Sequence, residues 1–541
     1  MKKNSFVEGT IIASIAIIIT KILGILYVIP FYSIIGENGG TLYSYAYNIY
    51  NLFLNISTAG IPIAISMIIS EYSALNLNEA KNRAYSISKK IIVTFSIIAF
   101  LFLFIFADSF GLFFLKGIEG SNSISDVALV IRAISLCLLI TPFLSILRGY
   151  LQGHKFIAPT ATSQIIEQVV RIIVILLGSY ISINICNSSV PVGVAVALTG
   201  AFFGGLVAYL YLKIKVNKDK KLIVKPKTKD NITNKEIITK IISYSLPVII
   251  TAIIGNLYDI IDMKLIIKGL YKIGYDAKTC ELISSIITTW APKICMIMNA
   301  VSIGLTTSLI PHIIDNFVKN EIKEVNHKFN NAIETFLVLS IPMATGIFLL
   351  ANPIYKLFYG ENYYGPLILK FLAILNTLLG LLMVINTCLQ GMKKFKIIYL
   401  NTLIGLIINA ILDVPLIVLF KKIGWYPFYG SIVATIIGVL ISMITIYIYF
   451  KKEFKFNFKP ILKTVKKIIL PITSMIIVVE ILKHIIPFNN LSYSLLILSL
   501  LLIVIVGAIT YIFLIYKNNG LYTVFGKEYV DDKLKKLHLK K

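Results

Sequence analysis

Apolar runs of membrane-spanning length recur along the whole chain, separated by short polar stretches. Their boundaries fall near 9–33, 42–70, 87–108, 128–150, 157–183, 190–214, 240–267, 284–311, 331–350, 365–389, 396–420, 426–450, 465–486 and 491–516. About 20 apolar residues in a helix cover the hydrocarbon thickness of a bilayer. In that solvent each backbone N–H and C=O must be satisfied within its own segment, which selects helix. No strand alternation and no soluble domain interrupts the series. The pattern predicts an all-α integral membrane protein of about fourteen transmembrane helices.

Composition agrees with this reading. Of 541 residues, 57% are hydrophobic and only 14% charged, against roughly 25% charged in soluble domains. Water is therefore not the solvent of most of the surface. The net charge of +26 comes from 52 Lys+Arg against 26 Asp+Glu. Because the cations lie between apolar runs, they point to loops beside anionic lipid rather than to nucleic acid. An even span number puts both termini on one side. That side carries Lys2, Lys3, Lys81, Arg83, Lys89, Lys90, the 213–240 stretch, Lys393 to Lys396, the run from Lys451 to Lys467 and the basic tail. It holds roughly 38 Lys+Arg against roughly 9 opposite, which makes it cytoplasmic by the positive-inside rule. The expected location is a plasma membrane, multi-pass, with the N-terminal run retained as a first span. The five cysteines are widely spaced with no C-x-x-C pair, so neither a disulfide framework nor a zinc site is expected.

The chain repeats itself weakly. Gly24-Ile25-Leu26-Tyr27 matches Gly255-Asn256-Leu257-Tyr258, and Asn55, Gly60 and Glu71 align with Asn299, Gly304 and Asp315 at one offset. Leu151-Gln152-Gly153 with Lys155-Phe156 matches Leu389-Gln390-Gly391 with Lys394-Phe395. Three matches in chain order, at the same rank of span, indicate duplication. The expected organisation is an N-lobe over 1–216, a cytoplasmic linker over 217–237 and a C-lobe over 238–452. Two extra spans follow over 453–518, then a basic tail over 519–541. The lobes are expected to be pseudo-symmetric, with six helices each and the substrate path between them.

Ionisable residues at membrane depth are costly unless paired or hydrated, so each is a functional candidate. The first half offers Lys21, Arg148, Glu167 and Arg171. Glu167 and Arg171 are four apart on one helix face and can pair, either as a brace or as part of a binding site. The second half offers Asp259 and Asp262, Lys293, Asn409 and Asp413, and Ser431 and Thr435. Asp259, Asp262, Asn409, Asp413 and Thr435 supply hard oxygens suited to sodium, or a carboxylate for a proton, as coupling ion; hydrogen bonding between helices is the other reading. Lys21 and Lys293, in opposite halves, suit a cavity that attracts phosphate or pyrophosphate. No nucleotide-binding loop, nucleophile elbow or clustered histidines occur. The chain reads as a transporter, not an enzyme, and no cofactor is expected beyond the coupling ion.

Thr20-Lys21-Ile22-Leu23-Gly24 with Tyr27-Val28-Ile29-Pro30-Phe31 resembles the first helix of MurJ-type lipid II flippases, within the multidrug/oligosaccharidyl-lipid/polysaccharide exporter superfamily. Gly39-Gly40-Thr41-Leu42-Tyr43, Ala46-Tyr47-Asn48 and Phe53 to Pro62 are also similar. The strongest likeness is Arg148-Gly149-Tyr150-Leu151-Gln152-Gly153-His154, then Pro159-Thr160-Ala161, Ser163-Gln164, Glu167-Gln168 and Val170-Arg171. These look like the branch that includes the YtgP and stage V sporulation B proteins.

The resemblance implies two six-helix lobes around a cationic cavity, with the last two spans forming a lipid-tail groove. The family's arginines of helices one and eight fall on Lys21 and Lys293, which keep the charge and lose the bidentate fork. Its sodium ligands fall on Asp262, Asn409, Asp413 and Thr435. The basic residues that some members place in helix two are missing here. The expected function is flipping of an undecaprenyl-pyrophosphate-linked cell-wall precursor, lipid II first, by a monomer embedded in membrane lipid. The alternatives are another polyprenyl-linked polysaccharide, a drug/cation antiporter of the same superfamily, and, from another class, a membrane glycosyltransferase. The last would need a carboxylate-bearing outer loop, and the largest such loop, around 268–283, offers Asp276 and Glu281.

Overall fold

The computed structural model describes residues 6–58, 60–75, 77–118, 120, 122–218, 231–488 and 491–525. Residues 219–230 of the expected linker and 526–541 of the basic tail lie outside the described residues, as do Lys2 and Lys3. Helix dominates, and no strand occurs among the described residues.

Twelve helices among the described residues are long and apolar enough to cross a membrane. They coincide with the third to fourteenth predicted spans, from Asn78–Ile105 to Tyr493–Lys517. The count becomes thirteen if the bent pair Ile15–Leu26 and Val28–Asn55 is one span. Fourteen unbroken spans are therefore not found among the described residues, and the difference lies in the first two. The predicted runs 9–33 and 42–70 are distributed over α1 (Phe6–Leu26), α2 (Val28–Thr58) and α3 (Ile61–Ala74). Gly36 kinks α2 with φ 64° and ψ −173°, backbone that a side chain would strain. Pro62 in the first turn of α3 marks the second break, since its ring suits a helix start and not a helix interior.

The packing divides the chain into two units, residues 1–289 and 290–541. The first holds α1 to α3, then α4 (Asn78–Ile105), α5 (Ala107–Leu115), α6 (Ile124–Ser135), α7 (Thr141–Gly153), α8 (Ile157–Tyr180), α9 (Val190–Leu198), α10 (Gly200–Lys218), α11 (Asn234–Lys272) and α12 (Ala277–Ser285). Its helices meet through glycines. A Cβ on Gly149 of α7 would lie 2.5 Å from the Pro62 carbonyl oxygen, and one on Gly204 of α10 the same distance from that of Glu167. Small residues let helix backbones approach where lipid offers no hydrophobic drive. The core around α3 and α7 is aliphatic, with Ile65, Ile69, Leu144 and Leu151 buried.

The seventh span, α11, packs with this first unit, whereas the sequence repeat groups 238–452 as one lobe. Four contacts tie it there. Lys240 pairs with Glu71 at 2.5 Å, and Asn55 donates to Asn256 at 3.2 Å. Asn48 donates to the Met263 sulfur at 3.5 Å, and Gly60 lies against the Ser245 carbonyl.

The second unit begins with α13 (Ala291–Val318), followed by α14 (Ile322–Leu349), α15 (Ala351–Tyr359), α16 (Tyr364–Gly391), α17 (Phe395–Lys422), α18 (Tyr429–Phe454), α19 (Lys459–Ile485), α20 (Tyr493–Lys517) and α21 (Gly520–Phe525). α17 and α18 pack on each other, α13 and α14 flank α16, and α19 joins α14 to α20. One apolar core runs from Ile313 and Phe329 through Phe450 to Ile503 and Ile515.

Candidate functional site

In the first unit, α8 lies between α1 and α10 and carries the central ionic group. Gly200 and Gly204 of α10 rest on the backbone at Arg171 and Glu167. On the other flank, Gly24 of α1 lies beside the Gln168 side chain. Glu167 bridges two arginines, with Oε2 2.9 Å from Arg148 and Oε1 2.5 Å from Arg171. Arg148 also donates through Nε to Ser163 Oγ at 2.8 Å. One carboxylate thus serves two guanidinium groups, and the group keeps an excess positive charge. Arg148 Nη2 and Arg171 Nε remain without a hydrogen-bond partner, so donors are left over for an anion. Lys21, one turn before Gly24 on α1, is half-buried and makes no ion pair among the described residues. Sequence reasoning foresaw the Glu167–Arg171 pair, but not that Arg148 would share the same carboxylate from α7.

In the second unit, α17 and α18 hold the predicted oxygen group. They approach through glycine: a Cβ on Gly438 would lie 2.6 Å from the Gly405 carbonyl oxygen, and one on Gly430 2.5 Å from the Ile417 nitrogen. That closeness lets Asn409 Nδ2 donate to Thr435 Oγ1 at 2.8 Å. Thr435 in turn donates to the Ser431 carbonyl at 3.1 Å. Asp413 is fully buried, and neither carboxylate oxygen has a hydrogen-bond partner. Asn409 Oδ1 is likewise unpartnered. Unpaired oxygens of one formal charge at a dry site suit a monovalent cation or a proton. Asp259 and Asp262 belong to α11 in the first unit. There Asp262 is buried and Asp259 exposed.

Lys293 stands in the first turn of α13, after a widened π-helical turn at Ile286–Trp290. Such turns are frequent at functional positions. Its ammonium lies 4.2 Å from the centre of the Trp290 ring, an attractive placement for a cation. Tyr359 steadies this turn by donating to the Trp290 carbonyl at 2.6 Å.

Two buried carboxylates escaped the sequence reading. Glu281, taken with the outer loop 268–283, is wholly buried in α12 and accepts from Asn122 at 2.7 Å. Glu334 lies inside the predicted run 331–350 and is buried in α14. An acid within an apolar run was the signal for it. Asp276 behaves as a loop residue, capping α12 through the Thr279 N–H at 2.9 Å. That hydrogen bond holds its carboxyl below the usual carboxylate range.

The family model described as "Polysaccharide biosynthesis protein" matches residues 6–317, and one described as MatE matches 288–414. "Lipid II flippase MurJ" of Bacillus subtilis (strain 168) is 31% identical over 539 residues, 97% of each chain. "Stage V sporulation protein B" of the same organism is 25% identical, covering 76% of this chain and 77% of that one. The solved structure "Lipid II flippase MurJ, inward closed conformation" aligns with a TM-score of 0.63 at 18% identity, over 95% of this chain and 99% of that chain. A multidrug resistance MATE family transporter in an inward-facing conformation also gives 0.63, over 80% of this chain and 96% of its own.

Proposed function

We propose, from the premise that this chain belongs to the polysaccharide biosynthesis protein family of membrane transporters within the multidrug/oligosaccharidyl-lipid/polysaccharide superfamily, that it flips an undecaprenyl-pyrophosphate-linked cell-wall precursor, lipid II, from the inner to the outer leaflet. The supporting observation is the ionic group on α8. Arg148 and Arg171 share a single carboxylate and keep unused donors, with Lys21 unpaired on the adjoining helix. A pyrophosphate is the anion such donors fit. In the second unit, Lys293 is a cation of its own on α13. Transport proceeds by alternating access, and both termini face the cytoplasm, where the loop cations concentrate.

The coupling ion is sodium or a proton at Asp413, Asn409 and Thr435. The unpartnered buried oxygens of Asp413 and Asn409 support this, because a cation would satisfy acceptors that no donor reaches. A flippase for another polyprenyl-linked glycan is the second reading, favoured by the match to the family described as "Polysaccharide biosynthesis protein".

The test is complementation of a bacterial strain depleted of its lipid II flippases, with lipid II exposure at the outer leaflet as readout. The wild-type chain should restore both. Lys21→Ala with Lys293→Ala should restore neither while still reaching the membrane. Growth without restored lipid II exposure, or full rescue by the double variant, would overturn the assignment.

A further inference from the structure

At one end of the second unit, three helix connections border a cavity of about 290 Å³. Asn352, Lys356, Glu361, Tyr363, Tyr426 and Phe488 are among its lining. The first four belong to α15 and the turn before α16, Tyr426 to the turn before α18, and Phe488 to the stretch after α19. Gly360, with φ 79°, makes the turn after α15 in left-handed backbone that glycine accepts without strain. Beyond it, Asn362 Oδ1 accepts from the N–H groups of Tyr364 at 2.9 Å and Gly365 at 2.7 Å, which anchors the first turn of α16. Lys356 pairs with Glu361 across the turn at 2.6 Å. The hydroxyls of Tyr363 and Tyr426 share a hydrogen bond at 2.8 Å, with ring centres 6.2 Å apart. The cavity is thus framed by fixed backbone and by a tyrosine pair that joins two connections.

This lining suits a sugar ring. Tyr363 is 63% exposed and Tyr426 39%, so aromatic surface at the cavity stays open to a ligand. An aromatic face is electron-rich, and the weakly positive C–H bonds of a pyranose complement it. The Glu361 carboxylate is 79% exposed although Lys356 holds it, and it can accept from a hydroxyl or an acetamido N–H. The exposed Asn352 amide both donates and accepts. Lys356 cancels the charge of Glu361, so the pair leaves no excess charge for a phosphate. A few polar groups in an aromatic lining are the usual make-up of a small-ligand pocket, and the volume lies at the low end of that range, roughly 300 Å³. It accommodates a sugar ring and not a polyprenyl chain. Aromatic residues also gather at membrane surfaces as anchors. Trp425, 61% exposed beside Tyr426 and not part of the lining, fits that role. The hydrogen-bonded Tyr363 and Tyr426 face a cavity with charged and amide groups instead.

We propose that this cavity is a saccharide subsite, in which Tyr363 and Tyr426 stack on a pyranose ring while Glu361 and Asn352 hydrogen-bond its polar substituents. The connections at the other ends of these helices carry Lys393, Lys394 and Lys455, on the side read as cytoplasmic, so the subsite lies at the outer end. Its natural ligand, the sugar headgroup of a glycan-bearing lipid, rests on the flippase reading above. Recognition of the sugar itself rests on the lining alone.

The test titrates the purified full-length chain in phosphatidylcholine nanodiscs with the disaccharide of N-acetylglucosamine, read by saturation-transfer NMR. The wild-type chain should bind it with a Kd on the order of 1 mM, as expected of a small exposed site. Tyr363→Ala with Tyr426→Ala should weaken binding at least tenfold, and Asn352→Ala with Glu361→Gln at least threefold. Trp425→Phe should leave it unchanged, and inorganic pyrophosphate should not compete. Thermal unfolding shows that each variant is folded; if the tyrosine pair is not, the Asn352 and Glu361 pair gives the answer alone. No binding by the wild-type chain at about 10 mM disaccharide, equal binding by the folded variants, or displacement by pyrophosphate overturns the proposal. Restored lipid II exposure in the complementation assay without saccharide binding sinks the subsite alone. Saccharide binding lost in the variants, from a chain that fails to complement, supports the subsite and sinks the flippase reading.

Discussion

Glu167→Ala separates a structural brace from a binding site. The carboxylate holds Arg148 at 2.9 Å and Arg171 at 2.5 Å, and the three side chains are 15%, 28% and 14% exposed for Arg148, Arg171 and Glu167. Removing it deletes two attractions and leaves two guanidinium groups facing each other without a counter-charge. Breaking a buried ion pair from one side costs about 3–5 kcal/mol, because the remaining charge stays desolvated. For a unit of this size that is a fall of about 5–10 °C in unfolding temperature, read as a ranking since unfolding of such chains is irreversible. The chain carries its own assay. Cys137, Cys280, Cys295 and Cys388 are buried and free, while Cys186 is exposed and sets the baseline for a thiol-reactive dye.

The decisive comparison is the triple change Arg148→Met, Glu167→Leu and Arg171→Met. Apolar replacement of a whole buried ionic group is often neutral or stabilising, so this variant should unfold near the wild-type temperature. It should nevertheless fail to complement, because the donors for the pyrophosphate are gone. If Glu167→Ala unfolds within about 1 °C of wild type, the ionic account of this helix is wrong. If the triple variant is stable and complements fully, the group is a brace and the substrate binds elsewhere.

Three further outcomes follow from the packing. Gly438→Val places a branched Cβ within 2.6 Å of the Gly405 carbonyl, so it should force α17 and α18 apart and lower the unfolding temperature, with Gly438→Ala milder in the same thermal scan. Tyr511→Phe removes the buried hydroxyl that donates to the Val338 carbonyl at 2.8 Å, and should cost about 1 kcal/mol, measured as a small drop in unfolding temperature with transport intact. Asp276→Ala removes the cap of α12, a loss of about 0.5–1 kcal/mol. Because its folded-state value is depressed, that contribution is present above the ordinary carboxylate range and lost as pH falls through the folded-state value; thermal scans of wild type and variant should converge in acid.

What the sequence made legible follows from how a bilayer constrains a chain. A span needs only length and apolarity, both properties of a contiguous run, and so twelve helices from Asn78–Ile105 onward match their predicted runs. The first two runs obey the same rule, yet the first bends by 42° between Leu26 and Val28 and the second breaks at Pro62, because backbone preference at a single position overrides an apolar average. Pairing within one helix was legible too, since Glu167 and Arg171 differ by four positions. Pairing between helices was not. That Arg148 shares the Glu167 carboxylate depends on how α7 meets α8. That Glu334 finds the Thr464 hydroxyl depends on α14 meeting α19. Glu334 carried a signal as an acid four positions into the run at 331–350, but Thr464 lies just ahead of the run at 465–486 and reads as an ordinary interfacial threonine. The placement of α11 was hidden for the same reason: its ties to Glu71, Asn55, Asn48 and Gly60 join positions roughly 170 to 215 residues apart. The polar chemistry of a membrane bundle is thus written in single residues, and its meaning is set by the helix each one faces.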